Sequence, residues 1–546
     1  MYSISKETAT IKTRDGVNLV ADIYRPQTTE KLPILLMRQP YGRAIASTVV
    51  YAHPRWYAQQ GYIVVIQDVR GRGDSGGEFE LFSHEIADGE DTLQWLSNLN
   101  GSTGEVGMYG FSYQGMTQLY CAISGGGALK TICPAMVAYD LYSDWAYENG
   151  AFCRELNLAW ALQLSAETAR LKQDLHAYSI LYFASRNLPD RYIPSQVEEV
   201  LRKYCPSNFY YQWLKHSEND DYWQQLSPSN YFENVDLPML HIGGWFDNYL
   251  RGTMNLYQKM TKKSHFQQSL IIGPWAHLPW GNKRGSQFYS TNANNDINEI
   301  QIQWFDYYLK GKKNTDLIPK NIKLFVMGAN KYIFAEKFDG QNNINFYLNS
   351  TGLANIRDDD GKLINDNIEN IENSEDTIVN DFWRPSPSLG GHYSSNAGSF
   401  ERRELNNRSD ILTYTSAPFT TDLTIMGDVE IELYVICERE TFDINAVLSE
   451  VREDDTIYNF TQGYKRVKNH QQTSTKVTFK LQPTCYEIKR GRALNLSISS
   501  SAFPAFNLNQ GNPHLSDNFD LDNQTLTLTV LSGKNYPSRL KVDGVR

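Results

Sequence analysis

Short, wholly apolar runs alternate with amphipathic stretches through the first 340 residues of the chain. Strands that are apolar on both faces are predicted at 33–37, 62–66, 106–111, 238–242 and 269–272. Helical spacing predicts helices at 86–99, from about 113, at 249–262 and at 298–310. Buried strands that alternate with helices are typical of a parallel sheet covered by helices, so we predict an α/β fold.

The pattern changes between residues 141 and 230. Helical spacing predominates there at 156–171 and 196–204, and the segment carries four tryptophans, Trp145, Trp160, Trp213 and Trp223. The α/β pattern then resumes. We therefore predict one discontinuous α/β domain, made of residues 1–140 and 231–335, with a helical cap inserted at 141–230.

Residues 336–546 have a different texture again. Segments rich in Thr, Val, Ile and Tyr recur between turn signals, at 344–348, 411–415, 429–435, 444–451, 476–481, 494–499 and 525–530. Few helical stretches separate them. This pattern predicts an antiparallel β-sandwich over residues 336–546.

Composition and charge limit the classes of function that the chain can have. The 546 residues exceed the roughly 250–300 that one hydrophobic core supports, and 41% of them are hydrophobic, as in a globular protein. The net charge of −10 and the isoelectric point near 5.6 argue against a general nucleic-acid binder or an anionic-membrane binder. A small-molecule or peptide substrate fits this charge better.

The cysteines and the amino terminus bear on the compartment. The six cysteines are far apart and include no C-x-x-C pair, which indicates neither a zinc site nor a disulfide framework. The first residues lack a basic region followed by an apolar core, and no run approaches 18 apolar residues. We therefore expect buried thiols and a cytoplasmic location, without a membrane partner.

A serine stands between a predicted strand and a predicted helix, in Gly110-Phe111-Ser112-Tyr113-Gln114-Gly115. A nucleophile elbow needs such a tight strand-to-helix turn with little side-chain bulk nearby. The helix N-terminus would also stabilise negative charge beside the serine. Ordinary turn chemistry is the alternative, because Gln114 occupies the position of the second glycine in the usual G-x-S-x-G spacing.

A serine nucleophile needs a histidine base and an acid that orients it. When the serine lies in a nucleophile elbow of an α/β sheet, the acid follows it along the chain and the histidine comes last. Asp247 and His277 each come just after a predicted buried strand, at the edge where α/β sheets bind ligands. His241 lies inside a strand run and is expected to be a core residue. Asp68 also ends a strand, but it precedes the serine and is expected to brace the glycine-rich loop that follows it.

Five ordered motifs carry a resemblance to a known family: Pro40-Tyr41, Asp68-x-Arg70-Gly71-x-Gly73-x-Ser75-x-Gly77, Gly110-x-Ser112-Tyr113-x-Gly115, Gly244-Trp245-Phe246-Asp247 and Gly273-Pro274-Trp275-x-His277. Together they resemble the cocaine-esterase and X-prolyl dipeptidyl-peptidase group of α/β-hydrolases. The resemblance implies a hydrolase domain, a helical cap and a C-terminal jelly-roll domain. It also implies an oxyanion hole made by the Tyr41 hydroxyl and the Tyr113 backbone N–H. Leu278 and Asn248 depart from that group's pattern.

These observations predict a serine hydrolase that cleaves carboxylic esters or amides through an acyl-enzyme, without metal or cofactor. The catalytic residues would be Ser112, Asp247 and His277. The candidate substrate-binding residues are Trp145, Trp160, Phe246 and Tyr249. An X-Pro dipeptidyl peptidase, an amino-ester hydrolase and an acyltransferase remain alternatives, as does a non-catalytic binding protein that uses its β domain. The oligomeric state stays open.

The charge of the substrate depends on acids near the serine. A free α-ammonium group beside the scissile carbonyl needs a carboxylate partner, because a buried unpaired charge costs several kcal/mol. Asn248 and Tyr249, which follow the candidate acid, are neutral. The cap acids Asp144, Glu148 and Glu155 could substitute, but acids on a helical insertion are expected to be solvated. The sequence therefore favours acyl groups without an α-ammonium.

Overall fold

The architecture comes from a computed structural model of the chain, which describes residues 2–44, 48–193, 195–313, 315–340, 342–365, 368–468, 471, 473–511 and 525–545. Within them, an α/β-hydrolase domain bears a helical cap and is followed by an all-β domain. The predicted fold class is confirmed.

A mixed sheet of ten described strands forms the centre of the hydrolase domain. Its strands are β1 (Ile4–Lys12), β2 (Asn18–Pro26), β3 (Leu32–Gln39), β4 (Ile63–Asp68), β5 (Ser102–Phe111), β6 (Leu129–Ala135), β9 (Met239–Phe246), β10 (Gln268–Ala276), β13 (Ile322–Val326) and β14 (Lys331–Ala335). Their spatial order is β1-β2-β4-β3-β5-β6-β9-β10-β13-β14, and the strands from β4 to β13 run parallel. β3, β4, β9 and β10 are buried along their whole length, as their apolar sequences require.

Helices cover both faces of this sheet. They are α1 (Pro54–Gln59), α2 (Glu85–Ser97), α3 (Tyr113–Ile123), α9 (Leu250–Lys263) and α10 (Ile297–Lys310). A small hairpin, β11 (Lys283–Arg284) and β12 (Gln287–Phe288), follows β10. One core cluster fills the α2 and α3 side, and another includes the apolar face of α10 around Trp304.

The cap interrupts the connection between β6 and β9. It contains a π-helical turn (Tyr142–Ala146), the hairpin β7 (Tyr147–Glu148) and β8 (Ala151–Phe152), and the helices α4 (Arg154–Leu171), α5 (Leu175–Arg186), α6 (Gln196–Tyr204), α7 (Phe209–Lys215) and α8 (Asp221–Leu226). Trp213 and Trp223 are fully buried and pack together with ring centroids 5.3 Å apart. Both rings belong to the core cluster that fills the α2 and α3 side of the sheet, so the cap and the hydrolase domain share one core.

The all-β domain is built from twelve described strands. They are β15 (Asn342–Asn349), β16 (Lys362–Ile364), β17 (Ser374–Asn380), β18 (Ile411–Ser416), β19 (Leu423–Cys437), β20 (Phe442–Val451), β21 (Ile457–Val467), β22 (Thr475–Lys480), β23 (Thr484–Ile488), β24 (Ala493–Ser499), β25 (Leu526–Ser532) and β26 (Arg539–Val545), with a short helix α11 (Arg403–Asn406). The neighbouring strands pair antiparallel except β16 and β18. This jelly-roll domain shares a hydrophobic core cluster with the β9, β10 and β13 side of the hydrolase sheet.

The sequence pattern did not predict several of the helices and strands. Helices α5, α7 and α8 were not predicted, and α7 in particular consists largely of aromatic residues that favour strands. The Asn208 side chain accepts a hydrogen bond from the Tyr210 N–H and starts that helix. Strand β21 was also missed. In the short helices α7 and α8, local capping and tertiary burial outweigh propensity.

Two further expectations concern the whole chain. All six cysteines are free thiols, and Cys205 is the one that is partly exposed. Among the helices that the structure describes, none combines the length and the apolarity that crossing a bilayer requires.

Candidate active site

Ser112 occupies a strained turn between a strand and a helix. Strand β5 ends at Phe111 and helix α3 begins at Tyr113, and Ser112 between them has φ 59° and ψ −129°. Left-handed φ values are costly for a residue with a side chain, and they are typical of a nucleophile elbow. A Cβ at Gly110 would lie 2.5 Å from the Gln114 Cβ, and one at Gly115 would lie 2.4 Å from a Val137 methyl group. The turn therefore needs glycine at both positions.

Asp247 and His277 follow neighbouring parallel strands. Asp247 comes directly after β9 and His277 directly after β10, and their Oδ1 and Nδ1 atoms lie 2.8 Å apart. Asp247 is fully buried, whereas the His277 side chain is 28% exposed. Burial raises the pKa of the Asp247 carboxyl, and the hydrogen bond and charge of His277 offset part of that rise. The Phe111 ring, next to Ser112, lies 5.5 Å from the His277 ring.

Tyr41 follows strand β3 and contacts both the serine and the cap. The Trp160 indole Nε1–H donates a hydrogen bond of 3.1 Å to the Tyr41 hydroxyl oxygen. Burial raises the pKa of Tyr41 to about 12, although the hydrogen bonds with Trp160 and Ser112 and the charge of Arg72 act in the opposite direction. The phenol is therefore protonated at neutral pH and retains a proton to donate.

The side chain and the backbone of Tyr113 make different contacts. Its hydroxyl donates to Glu85 Oε1 at 2.8 Å, and Glu85 in turn pairs with the buried Arg38. Burial raises the Tyr113 pKa well above its usual range, and its ring stacks on Phe82 with centroids 4.8 Å apart. The side chain thus anchors the first turn of α3. The backbone N–H is among those that a helix N-terminus leaves without an intrahelical partner.

Three of the four candidate substrate-binding residues form a continuous aromatic wall. The Trp145 ring lies 5.0 Å from Trp160 and 4.2 Å from Tyr249, and Tyr249 packs edge-on against His277 at 5.0 Å. Phe246 lies elsewhere. Its ring packs against Tyr289 at 6.2 Å, within the core cluster shared with the jelly-roll domain.

The cap acids are not solvated, which corrects the expectation from the sequence. Asp144, Glu148 and Glu155 are each at most 4% exposed. Asp144 accepts hydrogen bonds from the backbone N–H groups of Tyr139 and Asp140, and burial raises its pKa to about 6. For Asp144 and Glu148, local backbone donors and partners in distant segments compensate the burial, and helical spacing carries no trace of such partners. Glu155 differs, because burial raises the pKa of its carboxyl and hydrogen bonds with Ser395 offset that rise only in part.

Glu148 joins three parts of the molecule. Its carboxylate pairs with Arg251 at the start of α9, contacts His392 Nε2 at 2.9 Å, and accepts the Tyr464 backbone N–H at 3.0 Å. Burial alone would raise the pKa of Glu148, but the charges of Arg251 and His392 outweigh it and lower the pKa to about 2. Glu148 therefore remains ionised and links the cap to the hydrolase and jelly-roll domains.

His241 and Asp68, the alternatives to His277 and Asp247, have environments that indicate structural roles. His241 is fully buried with Nε2 3.0 Å from Gln268 Oε1, and burial lowers its pKa to about 4. Asp68 accepts hydrogen bonds from the Arg43 backbone and side chain and from the Asp74 N–H. The predictions of a core histidine and a loop-bracing carboxylate are both confirmed.

The sequence did not indicate two features of the site. One is the indole donor that Trp160 supplies to Tyr41. The other is Arg72, a buried guanidinium that lies 3.8 Å over the Phe79 ring and donates to the Leu164 carbonyl. Burial lowers the pKa of Arg72 to about 10, so it is still a cation at neutral pH. Neither contact has a local sequence signal, since each joins the hydrolase domain to helix α4 of the cap.

Comparison with known proteins gives matches over almost the whole chain. The family described as X-Pro dipeptidyl-peptidase (S15 family) matches residues 15–279, and the X-Pro dipeptidyl-peptidase C-terminal non-catalytic domain matches residues 324–541. The cocaine esterase of Rhodococcus sp. (strain MB1 Bresler) is 27% identical to this chain, over 99% of the chain and 98% of its own length.

Solved structures share the fold over the full length. An aminopeptidase from the marine sediment archaeon Thaumarchaeota archaeon superposes with a TM-score of 0.82 at 20% identity, covering 100% of this chain and 97% of its own. An α-amino acid ester hydrolase gives a TM-score of 0.79 at 19% identity with the same coverage. With both domain matches, the five motifs and this shared architecture, the chain belongs to the cocaine-esterase and X-Pro dipeptidyl-peptidase (S15) family of α/β-hydrolases and is a serine hydrolase.

Proposed function

We propose that this hydrolase cleaves carboxylic esters through an acyl-enzyme formed on Ser112. The observation that carries the proposal is the His277–Asp247 hydrogen bond at two neighbouring strand ends, beside the strained turn of Ser112. In the proposed reaction His277 Nε2 takes the Ser112 proton as Oγ attacks the carbonyl, and then gives it to the leaving alcohol. A water molecule, activated by the same imidazole, releases the acid.

The oxyanion of each tetrahedral intermediate would be held by two donors. One is the Tyr41 hydroxyl, which is protonated and within reach of Ser112. The other is the Tyr113 backbone N–H at the start of α3. Because such donors act on charge that develops in the transition state, Tyr41→Phe should lower kcat about 10²–10³-fold with little change in KM. An unchanged kcat would assign Tyr41 to core packing instead.

The proposed acyl pocket is bounded by Trp145, Trp160 and Tyr249. Their rings form the wall that reaches His277, and an apolar or aromatic acyl group fits such a wall. Phe246 is left out of it because its ring packs at the jelly-roll junction. The buried acids Asp144 and Glu148 are already bonded to protein donors, so neither is available to an α-ammonium. Glu155 is the third cap acid, and burial raises its pKa and so favours the uncharged form, which is a weaker partner for an ammonium group.

A substrate panel tests this proposal directly. We expect short or aromatic acyl esters to show kcat/KM at least about tenfold above matched aminoacyl esters and Gly-Pro anilides, which corresponds to about 1.4 kcal/mol in transition-state binding. The reverse order would favour an aminopeptidase-type activity on the same triad. A fluorophosphonate probe should label Ser112, and failure to label the folded chain would favour a non-catalytic binding protein.

A further inference from the structure

A side chain of the jelly-roll domain contacts the backbone of the loop that carries Asp247. Gln482 lies between β22 and β23, is 1% exposed, and donates from Nε2 to the Trp245 carbonyl at 3.1 Å and to the Asp247 carbonyl at 2.9 Å. Both acceptors are carbonyl oxygens, so only the NH₂ end of the amide can face them. The contact therefore crosses the domain boundary with a defined orientation.

The backbone of Gln482 is held on both sides by strand β21. Its N–H donates to the Gln462 carbonyl at 2.9 Å, and its own carbonyl accepts the Thr461 hydroxyl at 2.6 Å. Nearby, the jelly-roll domain docks on the end of β13, where Met327 forms a bridge with Tyr486. The amide thus projects from a rigid frame, which is what precise positioning of a second group requires.

The Asp247 peptide has few hydrogen bonds other than the one from Gln482, although the Asp247 carboxylate is also bonded to the Tyr249 backbone. After β9, the Asp247 N–H donates to the Gly244 carbonyl at 3.0 Å, and the Asp247 carbonyl otherwise accepts a long bond of 3.3 Å from the Leu250 N–H. Gln482 supplies the shorter of the two hydrogen bonds to that carbonyl. Rotation of the Asp247 peptide would move the carboxylate away from His277, and catalytic geometry tolerates little displacement.

We propose that Gln482 is a positioning residue for Asp247, so that the jelly-roll domain takes part in catalysis by fixing the triad acid. The inference rests on the proposed triad. It gives the domain a task beyond covering the hydrolase sheet, since one amide joins the jelly-roll frame directly to the peptide that bears the carboxylate.

Gln482→Met tests the proposal, because it keeps the side-chain volume and removes the donor. We expect kcat to fall about 10–100-fold, as for a small misplacement of a catalytic group, with KM within about twofold of wild type. The acid limb of kcat/KM should also move to lower pH, because an imidazolium with a displaced carboxylate partner loses its proton more easily. A merely structural role would leave that limb in place.

Gln462→Met is the matched control. Gln462 is equally buried, in β21, and its Nε2 donates at 3.4 Å to the Gly390 carbonyl inside the jelly-roll domain. We expect it to keep wild-type kcat. If Gln482→Met retains more than a tenth of the kcat of both wild type and this control, the proposal is overturned.

Two additions keep the experiment decisive. If Gln482→Met does not fold, Gln482→Asn, which withdraws the amide by one methylene, is judged by the same tenfold threshold. Ser112→Ala is measured in parallel. An active Ser112→Ala variant would refute the proposed triad itself, whereas an inactive one beside a fully active Gln482→Met variant would refute the positioning role alone.

Discussion

Replacing Trp160 with phenylalanine should weaken catalysis through Tyr41. The indole N–H lies 3.1 Å from the Tyr41 oxygen and occupies one of its lone pairs, which directs the phenol proton toward Ser112, where the proposed oxyanion would form. A neutral hydrogen bond contributes about 0.5–1.5 kcal/mol, which corresponds to about a 2–13-fold loss of kcat. Loss of the whole Tyr41 hydroxyl sets the upper limit, at about 10²–10³-fold.

A double-mutant cycle isolates this effect. In the Tyr41→Phe background the indole has no hydroxyl to orient, so Trp160→Phe should then change kcat by less than about twofold. Trp145→Phe is the matched control, because Trp145 belongs to the same wall but its Nε1 has no hydrogen-bond acceptor among the described residues. It removes a similar ring area without removing a hydrogen bond to Tyr41.

The assay is saturation kinetics on an aromatic acyl ester, with the melting temperature of each variant measured alongside. We expect Trp160→Phe to lower kcat more than Trp145→Phe does. Equal losses from Trp160→Phe with and without the Tyr41 hydroxyl would refute the reasoning, since the tryptophan would then act by packing alone.

Further outcomes follow from the same contacts. Ser112→Ala and His277→Ala should each abolish nearly all turnover of a folded chain, because triad members act as a unit; a variant that keeps more than about a tenth of wild-type kcat would contradict the assignment. Asp247→Asn should cost about 10⁴-fold in kcat, measured on the same ester, because it favours the wrong imidazole tautomer. Glu148→Gln should lower the free energy of unfolding by about 3–5 kcal/mol at pH 7, because it breaks the ion pair between the buried Glu148 carboxylate and Arg251. The folded pKa of Glu148, about 2, is below its usual 4.5, so the stability that its ionised form contributes is complete above pH 4.5 and is lost as the pH falls toward 2. In denaturant unfolding, the difference in unfolding free energy between the variant and wild type should therefore shrink over that range. A constant difference would count against the pairing.

The sequence was sufficient for the features that depend on local pattern. Apolar runs identified the strands before Asp247 and His277, and because parallel strands end at one edge, the two side chains could be expected there together. Contacts between distant segments could not be predicted from the sequence. The burial of Glu148 depends on Arg251 and His392, about 100 and 240 residues away, and no periodicity in the cap encodes them.

The path of the cap also has a consequence for how new substrate preferences could arise. The cap is inserted in the single connection between β6 and β9. These two strands pair directly within the sheet, where Ile132 lies opposite Met239. Chimeric enzymes could therefore exchange this insertion while leaving the sheet register intact. Such a graft would have to carry Glu148 with it, since a foreign cap without that carboxylate would leave Arg251 without its counter-ion and the buried His392 without its hydrogen-bond partner.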